Sequence, residues 1–396
     1  MIKAGLNDNG KQSGFSMVEL LIAMAIFVLT IVAATTIFVP LLTQFKQQSK
    51  AAETQIESVV GLEILRRDIA QAGFGVPWNI PAAVSYNEST GVAAAYNDCS
   101  GSTSCNPPRA ILSGNGVSFA NIVNGSDYLV IKATTVAMNN AAAKWTDISA
   151  LAGGAFKIRT WGSSVEDLCP NVSCSTPDNV IVIIPSRGGS NQRILVNNGA
   201  GFTAQFDSSA FPPAYAPATP GDVYLIYGVN ASTSGPLRMP FNRADYYVST
   251  SPPTGVPARC APNTGVLVKS VLNNDAAGTY STTPLLDCVA DMQVVYGLDN
   301  DSDGFFVPGT GGDGYQDDIT ALSAQQIRNQ VKEVRVYILA HEGQKDATYT
   351  YPNNSVDVGE DLGLGRTFNL QSAIGTGWQN YRWKVYELIV KTRNLG

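Results

Sequence analysis

From Leu20 to Val39 the chain reads LLIAMAIFVLTIVAATTIFV, twenty residues without a charge, and the next charged residue is Lys46. At a rise of about 1.5 Å per residue, such a run crosses a hydrocarbon core of roughly 30 Å as a single helix. It exceeds the roughly 7–15 apolar residues of a cleavable secretory signal, and no small-residue A-x-A site follows it. The leader upstream, MIKAGLNDNGKQSG, sets Lys3 and Lys11 against Asp8. That positive excess keeps the N-terminus cytoplasmic and exports everything beyond Val39. One carboxylate, Glu19, stands at the mouth of the run. An acid at the membrane centre costs about 2.5–3.5 kcal/mol on insertion scales, so Glu19 needs a partner if it enters lipid.

Gly14, Phe15 and Glu19, followed by an unbroken apolar helix, resemble the signal of type IV prepilins and type II secretion pseudopilins. The resemblance implies that a prepilin peptidase cuts after Gly14 on the cytoplasmic side and methylates the new amine of Phe15. Glu19 then stands where the family has its characteristic glutamate. Its carboxylate would neutralise the positive N-terminus of a neighbouring subunit as it docks in lipid, and so set the register between subunits. The plain alternative is a signal anchor whose glutamate snorkels to the interface.

Beyond the span, Gln44 to Ala72 contains no proline and a single glycine, and its residues favour helix. Pro40 is expected to interrupt or kink the helix. At about 100° per residue, Ile56, Val59, Val60 and Ile64 fall on one side and Leu62, Leu65 and Ile69 on another. Two apolar faces suggest two neighbours: the chain's own head and an adjacent subunit. Gly73, Gly75 and Pro77 end the helix.

The remainder is punctuated by many of the 37 glycines and 21 prolines, which argues for short strands and turns. Strands are predicted at Tyr128 to Ala133, Val180 to Ile184, Ile194 to Val196, Val223 to Tyr227, Val266 to Leu272, Met292 to Tyr296, Val334 to Leu339 and Trp383 to Thr392. The segment STSPPTGVP, residues 249–257, is a soft boundary between two lobes. The run LLDCVADMQVVYGLDNDSDG, Leu285 to Gly304, resembles the PilW-like group of minor pilins, as do VKEVRVYILA and the closing YRWKVYELIVKTRN. The implied fold class is α+β: a long transmembrane and stem helix packed on a β-rich, disulfide-containing, pilin-type head. The divisions are a leader over 1–14, the helix over 15–75 and the head over 76–396. The middle, Asn79 to Thr264, carries no such resemblance.

Asp299, Asp301 and Asp303 before Gly304 form D-x-D-x-D-G, the oxygen-rich start of an EF-hand-type loop, for which Ca²⁺ is the natural ligand. The twelfth position is Thr310 rather than glutamate, so closure falls to Asp313, Asp317, Asp318 or backbone carbonyls. Either the acids hold calcium or they form a solvated cluster of Asx and glycine turns. Six cysteines follow the span, and sequence proximity suggests Cys99 with Cys105, Cys169 with Cys174, and Cys260 with Cys288. Zinc is a poorer reading at these spacings in an oxidising compartment. His341, the sole histidine, reads as a surface residue at a strand end. No G-x-S-x-G or H-E-x-x-H occurs, and the net charge of −6 carries no basic block for nucleic acid.

The expected role is structural, not enzymatic: a minor pilin of the inner membrane and then the pilus, helping to start the filament and residing near its tip, in motility, adhesion or DNA uptake. The partners implied are the prepilin peptidase, the inner-membrane assembly platform, other minor pilins, the major pilin, a tip adhesin and membrane lipid. The alternatives are a minor pseudopilin of type II secretion, or a signal-anchored periplasmic enzyme or binding protein.

Overall fold

The computed structural model describes residue 14 and residues 16–101, 105–163, 165–169, 177–185, 193–231, 236–359 and 362–395. The apolar run and the stem form one helix, α1 (Met17–Ala70). Pro40 does not interrupt it, since a proline forfeits one bond of the ladder while the bonds on either side hold the helix together. Between Met17 and Lys50 the described side chains of the helix are all exposed. The last turns behave differently. Leu65 and Ile69 are fully buried and Leu62 partly so, whereas Val59 and Val60 remain exposed. The side chain of Ile56 lies outside the described residues. The two faces thus differ in degree: Leu65 and Ile69 are buried in the head, Ile64 of the other face is partly buried against the same core, and Val59 and Val60 of that face stay exposed. Gly73, at φ +82°, turns the chain out of the helix and donates its N–H to the Lys132 carbonyl.

The docking surface is an antiparallel eight-stranded sheet of β1 (Ile111–Gly114), β2 (Tyr128–Ala133), β9 (Asn242–Ser249), β10 (Gly265–Leu272), β11 (Tyr280–Leu298), β13 (Val331–Glu342) and β16 (Arg382–Lys391) in that order, with β12 (Gly314–Gln316) paired on β11. β16 is its long outer edge. Residues 249–257 connect β9 to β10, which are hydrogen-bonded neighbours, so a lobe boundary there would cut a single sheet. The true insertion lies earlier. Between β2 and β9 the chain builds a second sheet from β3 (Trp145–Ala150), β4 (Phe156–Ile158), β5 (Asp178–Ile184), β6 (Ile194–Leu195), β7 (Ala204–Gln205) and β8 (Val223–Ala231). A small layer of β14 (Ser355–Val358), β15 (Arg366–Asn369) and α3 (Leu370–Ile374) covers the far face of the large sheet.

Burial on both faces explains the unbroken apolar character of the central strands. Val336 and Ile338 of β13 face the core that receives Leu65 and Ile69, while Tyr337 and Leu339 face the β14–β15 layer. Removing two such side chains as Leu65 and Ile69 from water contributes about 1.5–3 kcal/mol each. Close approach of helix and sheet depends on Gly61, because a Cβ there would fall 2.0 Å from the Leu285 carbonyl oxygen.

His341 corrects the expectation of a surface residue: it is 1% exposed, pairs across the sheet with Trp383 and lies with its ring centroid 4.6 Å from that of Tyr381, the two rings tilted by 51°. Its Nε2 accepts the Ala261 N–H at 2.9 Å. Burial lowers its pKa to about 4. The neighbouring Cys260 and Cys288 form a disulfide with Cα atoms 4.8 Å apart. Cys99 and Cys105 form another at 4.9 Å, and Cys169 is also disulfide-bonded, while Cys174 lies outside the described residues.

Two outcomes follow. Gly61→Ala gains about 1 kcal/mol of helix propensity but meets a backbone atom that no rotamer change can clear, at a cost of about 1–3 kcal/mol or more. Chemical denaturation of the detergent-solubilised chain should therefore show a net loss of stability. The unfolded state protonates His341 near pH 6.5 and the folded state only near 4. Stability is thus fully present above about pH 6.5 and falls, by on the order of 3 kcal/mol, as pH drops to 4. His341→Gln should flatten that part of the stability profile against pH.

Candidate functional site

Two places carry chemistry that the cores do not explain. The first is the beginning of α1. Ser16 is its N-cap: the Ser16 Oγ accepts the Val18 N–H at 3.3 Å, and Glu19 reaches back to accept the Ser16 N–H at 3.0 Å. This is a capping box, which satisfies donors that a helix start leaves open and places a carboxylate at the positive end of the helix dipole. The pattern S-x-x-E stands in the sequence at Ser16 to Glu19, and reading Glu19 only as a partner for another subunit overlooks it. Gly14 is exposed, with no atom within 4 Å of where a Cβ would sit. Nothing in the chain's own packing therefore requires glycine there. Phe15 and the leader before Gly14 lie outside the described residues.

The second place is the acidic loop. β11 and β12 pair antiparallel with Leu298 opposite Gly314, so the next residues outward, Asp299 and Asp313, leave the hairpin facing each other. Asp301 folds back toward them, and one carboxylate oxygen from each of Asp299, Asp301 and Asp313 lies within 4.8 Å of the others. Asp313 also organises the loop, its two oxygens accepting the N–H groups of Asn300 and Val307, each at 2.8 Å. Asp299 is fully buried; its Oδ2 accepts the Gly304 N–H at 3.0 Å, while its Oδ1 is buried with no hydrogen-bond partner. The Asp301 carboxylate fits because residue 311 is glycine, at φ +64°: a Cβ there would lie 1.6 Å from Asp301 Oδ2. The Asp303 amide lowers the Asp301 pKa, but partial desolvation and the facing carboxyls of Asp303, Asp313 and Asp299 leave it raised overall.

The other three acids go elsewhere. Asp303 is exposed and accepts the Phe305 N–H at 2.7 Å, Asp317 accepts from the Asn115 side chain at 2.8 Å, and Asp318 accepts the N–H and hydroxyl of Thr320. The sequence offered Asp299, Asp301 and Asp303 as the start of the loop, with Asp313, Asp317, Asp318 or backbone carbonyls to close it; the hairpin brings together Asp299, Asp301 and Asp313. It also adds a residue with no signal in the loop: Lys332 of β13, whose Nζ is 3.6 Å from Asp299 Oδ2. The loop is seated by the Tyr296-Gly297 pair, since a Cβ on Gly297 would fall 2.6 Å from the Phe306 ring.

A cleft of about 710 Å³ is lined by Trp78, Asn97, Asp98, Arg109, Ser323 and Arg328, among others. Its carboxylate, Asp98, is engaged by Arg109 at 2.6 Å and by Lys132, so it is not a free base for acid–base chemistry.

Comparison with known families adds two matches. Residues 245–394 match the family model described as Type IV Pilus-assembly protein W, a stretch that runs from β9 to β16 and contains the acidic loop. Residues 9–35 match the prokaryotic N-terminal methylation motif, which includes Gly14, Phe15 and Glu19. No curated protein and no solved structure matches the chain. An exposed apolar helix thus stands behind the methylation motif, and the disulfide-bonded β head carries the pilus-assembly match; the two matches together support a type IV prepilin-like, PilW-like assignment for the chain.

Proposed function

We propose that this protein is a minor pilin that is cut after Gly14, methylated on Phe15, and built with sibling minor pilins into the complex that starts a type IV pilus. The observation that carries the reading is the first half of α1: an apolar helix whose described side chains are all exposed, behind the methylation motif. In lipid that surface is solvated by acyl chains, and in a filament it would be covered by the stems of neighbouring subunits. The bulk of the head, with a whole sheet inserted between β2 and β9, suits a low-copy position at or near the tip better than repetition along the shaft. The role is one of scaffolding, with the peptidase, the inner-membrane assembly platform, the major pilin and a tip adhesin as partners. A match described as pilus assembly favours this reading over the secretion pseudopilin.

Glu19 serves the single chain as a capping residue and, in this reading, turns to the ammonium of an adjoining subunit on assembly. A capping glutamine retains the acceptor oxygen but not the charge. N-terminal sequencing of the mature protein should begin at a methylated Phe15, and any other first residue overturns the processing site. Glu19→Gln should keep the helix start and membrane insertion yet fail to enter sheared filaments. Wild-type incorporation of Glu19→Gln would remove the charge from the assembly step.

A further inference from the structure

We propose that Asp299, Asp301 and Asp313 form a binding site for one Ca²⁺ ion, which locks the β11–β12 hairpin loop against the sheet. Three features of the loop point to it independently of the family assignment. One oxygen from each of the three carboxylates lies within 4.8 Å of the other two, the spacing of donors around a shared cation. Asp299 is fully buried, and its Oδ1 has no hydrogen-bond partner, a state that a buried carboxylate oxygen does not keep without cost. Gly311 leaves open the volume that Asp301 Oδ2 occupies, so the backbone has made way for the third carboxylate.

Charge and donor chemistry select the ligand. The only cation facing the cluster among the described residues is Lys332, 3.6 Å from Asp299 Oδ2. Three carboxylates against one ammonium leave a formal charge of −2, which a divalent ion neutralises. Lys332 and the Gly304 N–H both address Oδ2, so the unpartnered Oδ1 remains for the ion. The donor set is all oxygen, with neither histidine nor thiolate, which suits a hard cation. Ca²⁺ accepts irregular loops and mixed carboxylate, carbonyl and water ligands, whereas Mg²⁺ demands near-ideal octahedral geometry and gives up its waters reluctantly. The site lies at the end of the longest strand of the large sheet, so an ion there would hold residues 299–313 to β13 through Asp299 and Lys332.

The test uses the full chain in detergent, stripped with chelator and titrated with CaCl₂ by calorimetry and by thermal melting. One equivalent should bind at sub-millimolar to millimolar concentration and raise the melting midpoint, with MgCl₂ at equal concentration giving no comparable shift. Asp301→Asn is the informative variant, because the Asp301 side chain is exposed and, apart from its contact with Asp299, accepts among the described residues only the Asp303 N–H at 3.2 Å, so the fold is expected to survive its change. It should weaken binding at least about tenfold, while Asp303→Asn, outside the cluster, should bind as wild type. No calcium-dependent heat or shift in the wild-type chain overturns the site. So do equal binding by Asp301→Asn, loss of binding in Asp303→Asn, or an equal response to magnesium. These readouts concern ion binding alone and do not change if the chain proves not to enter a pilus.

Discussion

The whole arrangement turns on the few residues where α1 meets the large sheet. There a carboxylate from the helix, Asp68, lies buried beneath the sheet side chains and accepts hydrogen bonds from both Lys269 of β10 and Tyr246 of β9. Burial raises the Asp68 pKa, opposed by the charge and hydrogen bond of Lys269. Apolar packing by Leu65 and Ile69 supplies the affinity of helix for sheet but not its register, since one apolar ridge slides over another at small cost. A buried ion pair is different: displaced by one turn it leaves two uncompensated charges, a loss of several kcal/mol. The pair thus sets where the helix sits, and Gly61 sets how close. Because everything N-terminal to Gly61 is held only through this junction, the bearing of the membrane segment relative to the head is decided over about three turns of helix.

The parts of the fold legible in the sequence were those in which one requirement dominated. The apolar helix and the glycines that end it were legible, as were strands at Tyr128–Ala133 and over 334–339, which are rich in apolar residues because both of their faces are covered. β9 escaped notice because it reads NRADYYVS, with two charges in its first half. Those charges are fully buried: Arg243 holds Asp245 at 2.8 Å and Glu88 at 3.1 Å, and Tyr128 donates to Asp245 at 2.7 Å. A pattern rule counts such residues as solvated and cannot see partners such as Glu88 and Tyr128, which come from more than a hundred residues away. The inserted sheet was legible in part: β5, β6 and β8 answer to the runs expected at Val180 to Ile184, Ile194 to Val196 and Val223 to Tyr227, whereas β3, β4 and β7 were not expected. β4 and β7, at three and two residues, are too short to show a period.

The sites divided in the same way. The proximity of Asp299 and Asp313 is a property of hairpin register, and the hairpin itself could be inferred only by pairing Gly314–Gln316 with the strand before the loop. The D-x-D-x-D spacing drew attention to Asp303, but the turn at Ser302 and Gly304, both at positive φ, sends that side chain to cap Phe305 instead. Lys332 arrives from a strand separate from the loop and has no local signature. At the N-terminus the signal was present twice over, since the same glutamate that marks a prepilin also completes S-x-x-E, and the two readings are not in conflict.

The outer strand β16 has a bearing on how these molecules coexist before they assemble. It is ten residues long, and an edge of that length invites a second copy to add itself strand to strand. Its exposed positions, however, are four charged residues, Arg382, Lys384, Glu387 and Lys391, and one apolar residue, Ile389, while Trp383, Leu388 and Val390 turn inward. A partner strand would have to bring its own charged row alongside this one and desolvate part of it. The charged row thereby discourages a second copy from adding to the sheet along the border where the fold is otherwise unfinished.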